Sequence, residues 1–353
     1  MDAGGTATTG CPPKRRGSEW KHESPRLLVA ERINRRSNQT WRVNSTLLSL
    51  SILNQIGATK TPARRIVVTG SSGLLGRRLT NLLKNDYEVV GIDRYASTNQ
   101  NEFALDIAQK ERTVATIVRL HPSVIVHTAA ETNVDLCETD HEHARRINVE
   151  GTANIVESCT KVGARMIFIS TDYVFDGAKG NYSETDQPNP ISYYGLSKLE
   201  AERIVTSKSP DNALIMRTSV LYGWHPSKPN FATWVIKGLR EHQTLSVVKD
   251  HINSPTLADN LARGIRAAID RNSGGLLHVA GSDRISRFDF ACRIAKNFDL
   301  DRNLLVPVEM RNMSWAAKRP RDSSLDVAKA EKELGIELLG VDRGLEEMLR
   351  SQP

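Results

Sequence analysis

The chain has 353 residues, four cysteines and a formal net charge of +7. Residues 1–62 hold ten of the 48 Lys/Arg residues and four of the 41 Asp/Glu residues, so the basic character sits in that segment and the rest is near charge balance, which argues against a nucleic-acid-binding body. Cys11, Cys137, Cys159 and Cys292 show no metal-ligand spacing and fit a reducing compartment, and no apolar run reaches the ~18 residues of a membrane span.

Residues 1–62 read as a basic, disordered extension. Their Arg and Ser content also allows an organelle-import segment, against which stand Asp2, Glu19, Glu23 and Glu31; a nucleic-acid or membrane arm is the third reading. Without import, the expected location is the cytoplasm.

From Arg64 the texture changes. The short apolar run Ile66-Val-Val reads as a buried strand. It runs into Gly70-Ser71-Ser72-Gly73-Leu74-Leu75-Gly76, and a helical run Arg77–Lys84 follows. Glycines between a strand and a helix are the context for a dinucleotide fingerprint. Gly70 makes the turn, Gly73 lets backbone approach a pyrophosphate, Gly76 allows close packing, and the helix N-terminus offers free N–H groups. Ser72, Leu74 and Leu75 belong to the same cradle. Tyr87–Ile92 is a second strand ending at Asp93, placed to accept the adenosine ribose hydroxyls, which leans the cofactor toward NAD; Arg94, Arg77 and Arg78 leave NADP open. Asp106 and Ile107 are candidates for the adenine side, with a helix N-cap as the alternative for Asp106.

Ala108–Leu120 reads as a helix, Ser123–His127 as a strand and His141–Val162 as one long helical run. Asp135–His143 is rich in Asp, Cys, Glu and His. His141 and His143 would not share a helix face, however, and no metal site is expected. The strand Arg165–Ile169 delivers Ser170 and Thr171 at its end. After a polar loop come Tyr194 and Lys198, four residues apart and hence on one face of a helix. A phenol near pKa ~10 gains acidity beside an ammonium group and can then exchange a proton nearer neutral pH. Ser170 or Thr171 would hydrogen-bond a carbonyl oxygen as charge develops on it, and Lys198 would also hold the nicotinamide ribose.

Ala213–Met216 is a further strand. Beyond Tyr222 the alternation weakens: Phe231–His242 and Leu257–Ile269 read as helices around a strand Leu245–Val248. A strand near 276–279 returns toward the sheet, Ser286 caps the helix Arg287–Phe298, and Gly335 ends the helix begun at Asp326. The expected fold is α/β: a doubly wound parallel Rossmann sheet over 63–222, with 223–353 forming mainly a smaller α/β substrate lobe.

The body resembles the extended short-chain dehydrogenase/reductase superfamily and, within it, the dTDP-4-dehydrorhamnose reductase family. The segments that carry the resemblance are TGSSGLLG at 69–76, VIVHTAAETNVDLCE at 124–138, INVEGTANI at 147–155 and STDYVFDG at 170–177. YGLSK at 194–198, MRTSVLYG at 216–223, INSPTLADNLA at 252–262 and RPRDSSLD at 319–326 add to it. The resemblance implies NAD(P)H-dependent reduction of the 4-keto group of a nucleotide-linked deoxy sugar, with Thr171, Tyr194 and Lys198 at catalytic positions. Thr128, Ala129 and Ala130 would lie along the cofactor. Asn148 matches a helix asparagine tied to a proton relay, or packs. Asp172, Val174, Phe175, Asn230, Phe231 and Arg319 match segments near the sugar-nucleotide pocket, with a loop-fixing role as the alternative for Asp172. Tyr173 stands where dehydratases carry a glutamate, which disfavours elimination. A homodimer is compatible with the resemblance, but no obvious match exists for the carboxylate of metal-linked dimers. Two alternatives stay open: a sugar-nucleotide epimerase, and a non-catalytic NAD(P)-binding subunit like the regulatory subunit of methionine adenosyltransferase.

Overall fold

Strands buried on both faces of a parallel sheet read as continuous apolar runs, and successive side chains then divide between two cores. In the computed structural model, which describes residues 64–95, 101–209 and 211–353, this division is explicit. Ile66 and Val68 of β1 (Arg65–Thr69) join one core with Leu79, Ile167, Leu214 and Leu261; Val67 between them joins the other with Ile117, Ile125, Ile155 and Phe168. The readings of residues 1–62 lie outside the described residues.

The remaining strands are β2 (Glu88–Asp93), β3 (Glu102–Ala104), β4 (Val124–His127), β5 (Arg165–Thr171) and β6 (Ala213–Thr218). With the strand Gly275–His278 beyond β6, they form one seven-stranded parallel sheet in the order Gly275–His278, β6, β5, β4, β1, β2, β3. The order reverses between β1 and β4, and the carboxyl ends of strands flanking such a switch point form a crevice. A third core, around Tyr222, Val235, Leu239, Phe290 and Ile294, belongs to the C-terminal helices Phe231–Arg240 and Arg287–Asn297.

Two features depart from the sequence reading. The short edge strand β3 is only partly buried, so it carries no apolar run to read. The expected run His141–Val162 is broken by a π-helical turn, Arg146–Glu150, between His141–Arg145 and Gly151–Val162. π-turns mark inserted functional side chains, and this one presents Asn148. Its amide accepts from the Glu131 N–H at 2.8 Å and donates to the Glu131 carbonyl at 3.1 Å and the Ser197 hydroxyl at 3.0 Å.

Candidate active site

β1 hands the chain to Gly70 at φ +70°, where a Cβ would meet the Ala129 nitrogen and the Thr128 hydroxyl at 2.8 Å. A Cβ on Gly76 would collide with the Gly70 carbonyl. The helix Leu74–Leu83 has no side-chain cap and no acidic residue in its first turn. Its first backbone bond is Arg77 N–H to the Gly73 carbonyl at 3.0 Å, leaving the amides of Leu74, Leu75 and Gly76 without an acceptor in the helix. Asp93, at the end of β2, accepts from the Ser72 amide at 3.1 Å and the Ser72 hydroxyl at 2.7 Å, so the carboxylate holds the glycine loop in place.

These groups form one end of a cleft of about 530 Å³. Gly70, Gly73, Leu74, Leu75, Gly76, Asp93, Arg94, Asp106, Ile107, Thr128, Ala129 and Ala130 all line it. Ser72 stands behind the loop. Asp106 is no N-cap of the helix Lys110–Leu120, whose cap position is Gln109; it accepts from the Ala108 amide and pairs with Arg146 at 3.0 Å. His127, one residue before the lining, is fully buried between the Thr69 and Thr152 hydroxyls at 2.7 and 3.1 Å. Burial pushes it down to about 3, so it is a neutral structural histidine.

At the other end stand Thr171, Tyr194 and Lys198, all three in the lining. Ser192 caps the helix Tyr193–Lys208, accepting from the Gly195 amide at 3.3 Å, and a Cβ on Gly195 would collide with the Tyr173 carbonyl. That glycine lets the helix approach the end of β5. Burial pushes the Tyr194 phenol up from its ordinary value, while its hydrogen bond with Thr171 works the other way. Lys198 is expected from the sequence to bring the phenol down, whereas in this structure burial dominates and the phenol is raised. Lys198 is itself buried. Its Nζ donates to the Ile169 carbonyl at 2.8 Å and lies 4.1 Å from the Phe168 ring centroid; burial brings it down to about 7 against the pull of Glu202.

Asp172 is buried and accepts three hydroxyls: Ser219 at 2.7 Å, Ser323 at 2.5 Å and Thr171 at 3.1 Å. Burial raises it and those donors oppose the rise. The carboxylate therefore ties β5 to the Asp322–Leu325 segment while facing the cleft.

The other residues expected on the substrate side divide. Asn230 lines the cleft, but its side chain caps the helix Phe231–Arg240 and donates to the Gly223 carbonyl at 2.7 Å. Val174 and Phe175 are fully buried in the core, because the 3-10 turn Asp172–Val174 carries them behind β5, where Phe175 stacks on Tyr182 at 4.1 Å. Phe231 packs on Phe290, with ring centroids 5.5 Å apart, and is not in the lining. Arg319 closes a two-pronged pair on Asp135 at 3.0 and 2.7 Å and lies over Trp315, also away from the lining. The loop 180–190 packs against 324–326 through Tyr182 and contributes nothing to the lining.

Thr218, Val220, Lys228 and Arg287 are among the lining residues that were not singled out from the sequence. Thr218 Oγ1 is buried without a hydrogen-bond partner. Arg287 directly follows the cap Ser286, and that position is the one sequence signal that set it apart.

Residues 64–352 match the family model described as RmlD substrate binding domain. The chain is 32% identical to Methionine adenosyltransferase 2 subunit beta of Danio rerio, over 80% of this chain and 86% of that protein. It is also 32% identical to dTDP-4-dehydrorhamnose reductase of Aggregatibacter actinomycetemcomitans, over 77% and 94%. The solved dTDP-4-dehydrorhamnose reductase of Bacillus anthracis in complex with NADP superposes with a TM-score of 0.76 at 31% identity, covering 82% of this chain and all of that one. The chain belongs to the RmlD substrate binding domain family, within the extended short-chain dehydrogenases/reductases.

Proposed function

We propose that this family member reduces the 4-keto group of a nucleotide-linked deoxy sugar with NAD(P)H, with Tyr194 as the proton donor. The observation that carries the reading is the meeting of Thr171, Tyr194 and Lys198 in the same cleft as the uncapped helix N-terminus after β1. A nicotinamide cofactor, when bound, supplies the hydride. The residues fit such a group: the acceptor-free amides of Leu74, Leu75 and Gly76 suit a pyrophosphate, Asp93 suits ribose hydroxyls, and the orphaned Thr218 hydroxyl offers one more polar contact.

A phenol held up by burial keeps its proton at neutral pH, which is the form a donor needs. In the reaction the Thr171 hydroxyl, which donates to Asp172 in this structure, turns to the substrate carbonyl and polarises it where negative charge develops. Lys198, near 7, is partly ammonium at neutral pH and steadies the phenolate that proton donation leaves behind. Asp172 is held by three hydroxyls and has Tyr173 after it, so the acid and base pair that dehydration needs is not assembled.

The test is oxidation of NADH and NADPH in the presence of dTDP-4-keto-6-deoxy-L-mannose, comparing the wild type with Tyr194→Phe. Turnover that falls about 10²- to 10⁴-fold in the variant, with cofactor affinity kept, supports the reading. A second reading, a non-catalytic NAD(P)-binding subunit, rests on the identity to the methionine adenosyltransferase beta subunit. Cofactor binding without turnover of any keto sugar, together with stable association with a methionine adenosyltransferase, would favour it.

A further inference from the structure

A cation drawn out of water without an anion is unfavourable, so most buried arginines are paired. Around this cleft Arg319 holds Asp135, Arg146 holds Asp106, and Arg78 holds Asp259 and the Trp224 carbonyl. Arg287 differs. It is half-buried, it lines the cleft, and among the described residues its side chain makes no hydrogen bond or ion pair. The guanidinium lies over the face of Phe231, 4.8 Å from the ring centroid, a cation–π contact that helps to hold it in place. Its backbone amide is anchored on the His251 carbonyl at 2.9 Å. The acid in its surroundings is Asp172, whose oxygens already take Ser219, Ser323 and Thr171. The exposed Lys228 lines the same cleft, on the segment that leads into Asn230.

We infer that Arg287 reads the phosphates of a nucleoside-diphosphate substrate and, with Lys228, makes the cleft select the diphosphate over the monophosphate. The inference rests on the proposed reading of the cleft as a sugar-nucleotide site and names the residue that recognises the charged part. A planar fork of donors matches two phosphate oxygens at once, and a ring beneath it holds the fork ready. The ligand's two phosphate groups meet two cations that form no ion pair among the described residues, the nearby Asp172 being engaged by its three hydroxyls. The opposite end offers the uncapped helix N-terminus to a pyrophosphate and Asp93 to ribose hydroxyls, while its Asp106 is already paired with Arg146. The two ends are thus chemically distinct.

The test uses the full chain saturated with NADP⁺, so that added nucleotide cannot occupy the dinucleotide end. Titration calorimetry with dTDP and with dTMP compares wild type, Arg287→Gln and Arg287→Lys. The expected result is a loss of dTDP affinity of about tenfold to a hundredfold in Arg287→Gln. The dTDP-over-dTMP preference should shrink with it, Arg287→Lys should fall between, and NADP⁺ affinity should stay within twofold throughout. Undiminished dTDP preference in both variants overturns the inference, and so does an equal fall in NADP⁺ affinity, which would make Arg287 a support of the fold. Turnover is a separate arm: dTDP discrimination through Arg287 with no reduction of any keto sugar sinks the reductase reading and leaves the assignment of Arg287 standing.

Discussion

Lys198 and Glu202 stand one helical turn apart and grip successive residues of the same strand. Lys198 Nζ donates to the Ile169 carbonyl at 2.8 Å, and Glu202 Oε1 accepts the Ser170 hydroxyl at 2.5 Å. From β6, Arg217 closes on Glu202 at 2.9 and 2.6 Å. The strand end that presents Thr171 is held by a helix and a neighbouring strand through one buried charge network.

That network makes stability depend on pH in a defined direction. Lys198 titrates near 10.5 when unfolded and about 7 in the folded chain. Between those values the unfolded chain binds a proton that the folded chain lacks, so the Lys198 contribution to stability rises with pH across this window. Below about 7 both states are protonated and the full cost of burying the ammonium is present. Lys198→Met should remove this dependence: its urea stability between pH 7 and 9 should lose about 1.4 kcal/mol per pH unit of slope relative to wild type. Parallel slopes in the two proteins would rule the assignment out.

Removing Glu202 alone should be severe. Arg217 is buried, and its Nη1 already lacks a partner, so Glu202→Gln leaves a guanidinium without its anion. The expected cost is about 3–5 kcal/mol in chemical denaturation. Glu202→Leu combined with Arg217→Met removes both charges and should recover most of that loss. A double variant no more stable than Glu202→Gln would show that the pair is not the cause.

What the sequence made legible was local. Gly70, Gly73 and Gly76 are set by turn and packing constraints that act within a few residues, and Tyr194 and Lys198 share a face by helical period alone. The sheet was legible because β1, β4 and β5 are buried on both sides and read as unbroken apolar runs. Position next to a motif was a poor guide to side-chain direction. Val174 and Phe175 follow Thr171 closely, yet the 3-10 turn folds them into the core. Arg287 was hidden for the opposite reason, because it reaches the cleft from a C-terminal helix and only tertiary packing on Phe231 sets its place.

Asp93 should govern cofactor choice. Its carboxylate already accepts both Ser72 donors, and it lines the cleft beside Arg94. A negative charge there suits ribose hydroxyls and repels a 2′-phosphate. Asp93→Ser should move the kcat/KM ratio for NADPH over NADH upward by about tenfold or more. An unchanged ratio would mean that the adenosine ribose does not sit against the end of β2.

Val220 carries backbone strain at the cleft. It is β-branched, yet its φ is +42°, in the left-handed region that disfavours such side chains. The Thr256 amide donates to its carbonyl at 3.0 Å and fixes the turn between β6 and the short strand Leu221–Tyr222. Strain of this kind persists where a side chain is needed in place, and the Val220 side chain belongs to a residue of the lining. Val220→Gly should relieve the strain, and part of the gain is offset by the greater freedom of glycine in the unfolded chain. The net expectation is a stabilisation of about 1 kcal/mol, read as a higher Tm, together with a several-fold rise in KM for the sugar nucleotide. A variant that is less stable than wild type would show that the turn, and not the side chain, imposes the positive φ at no cost.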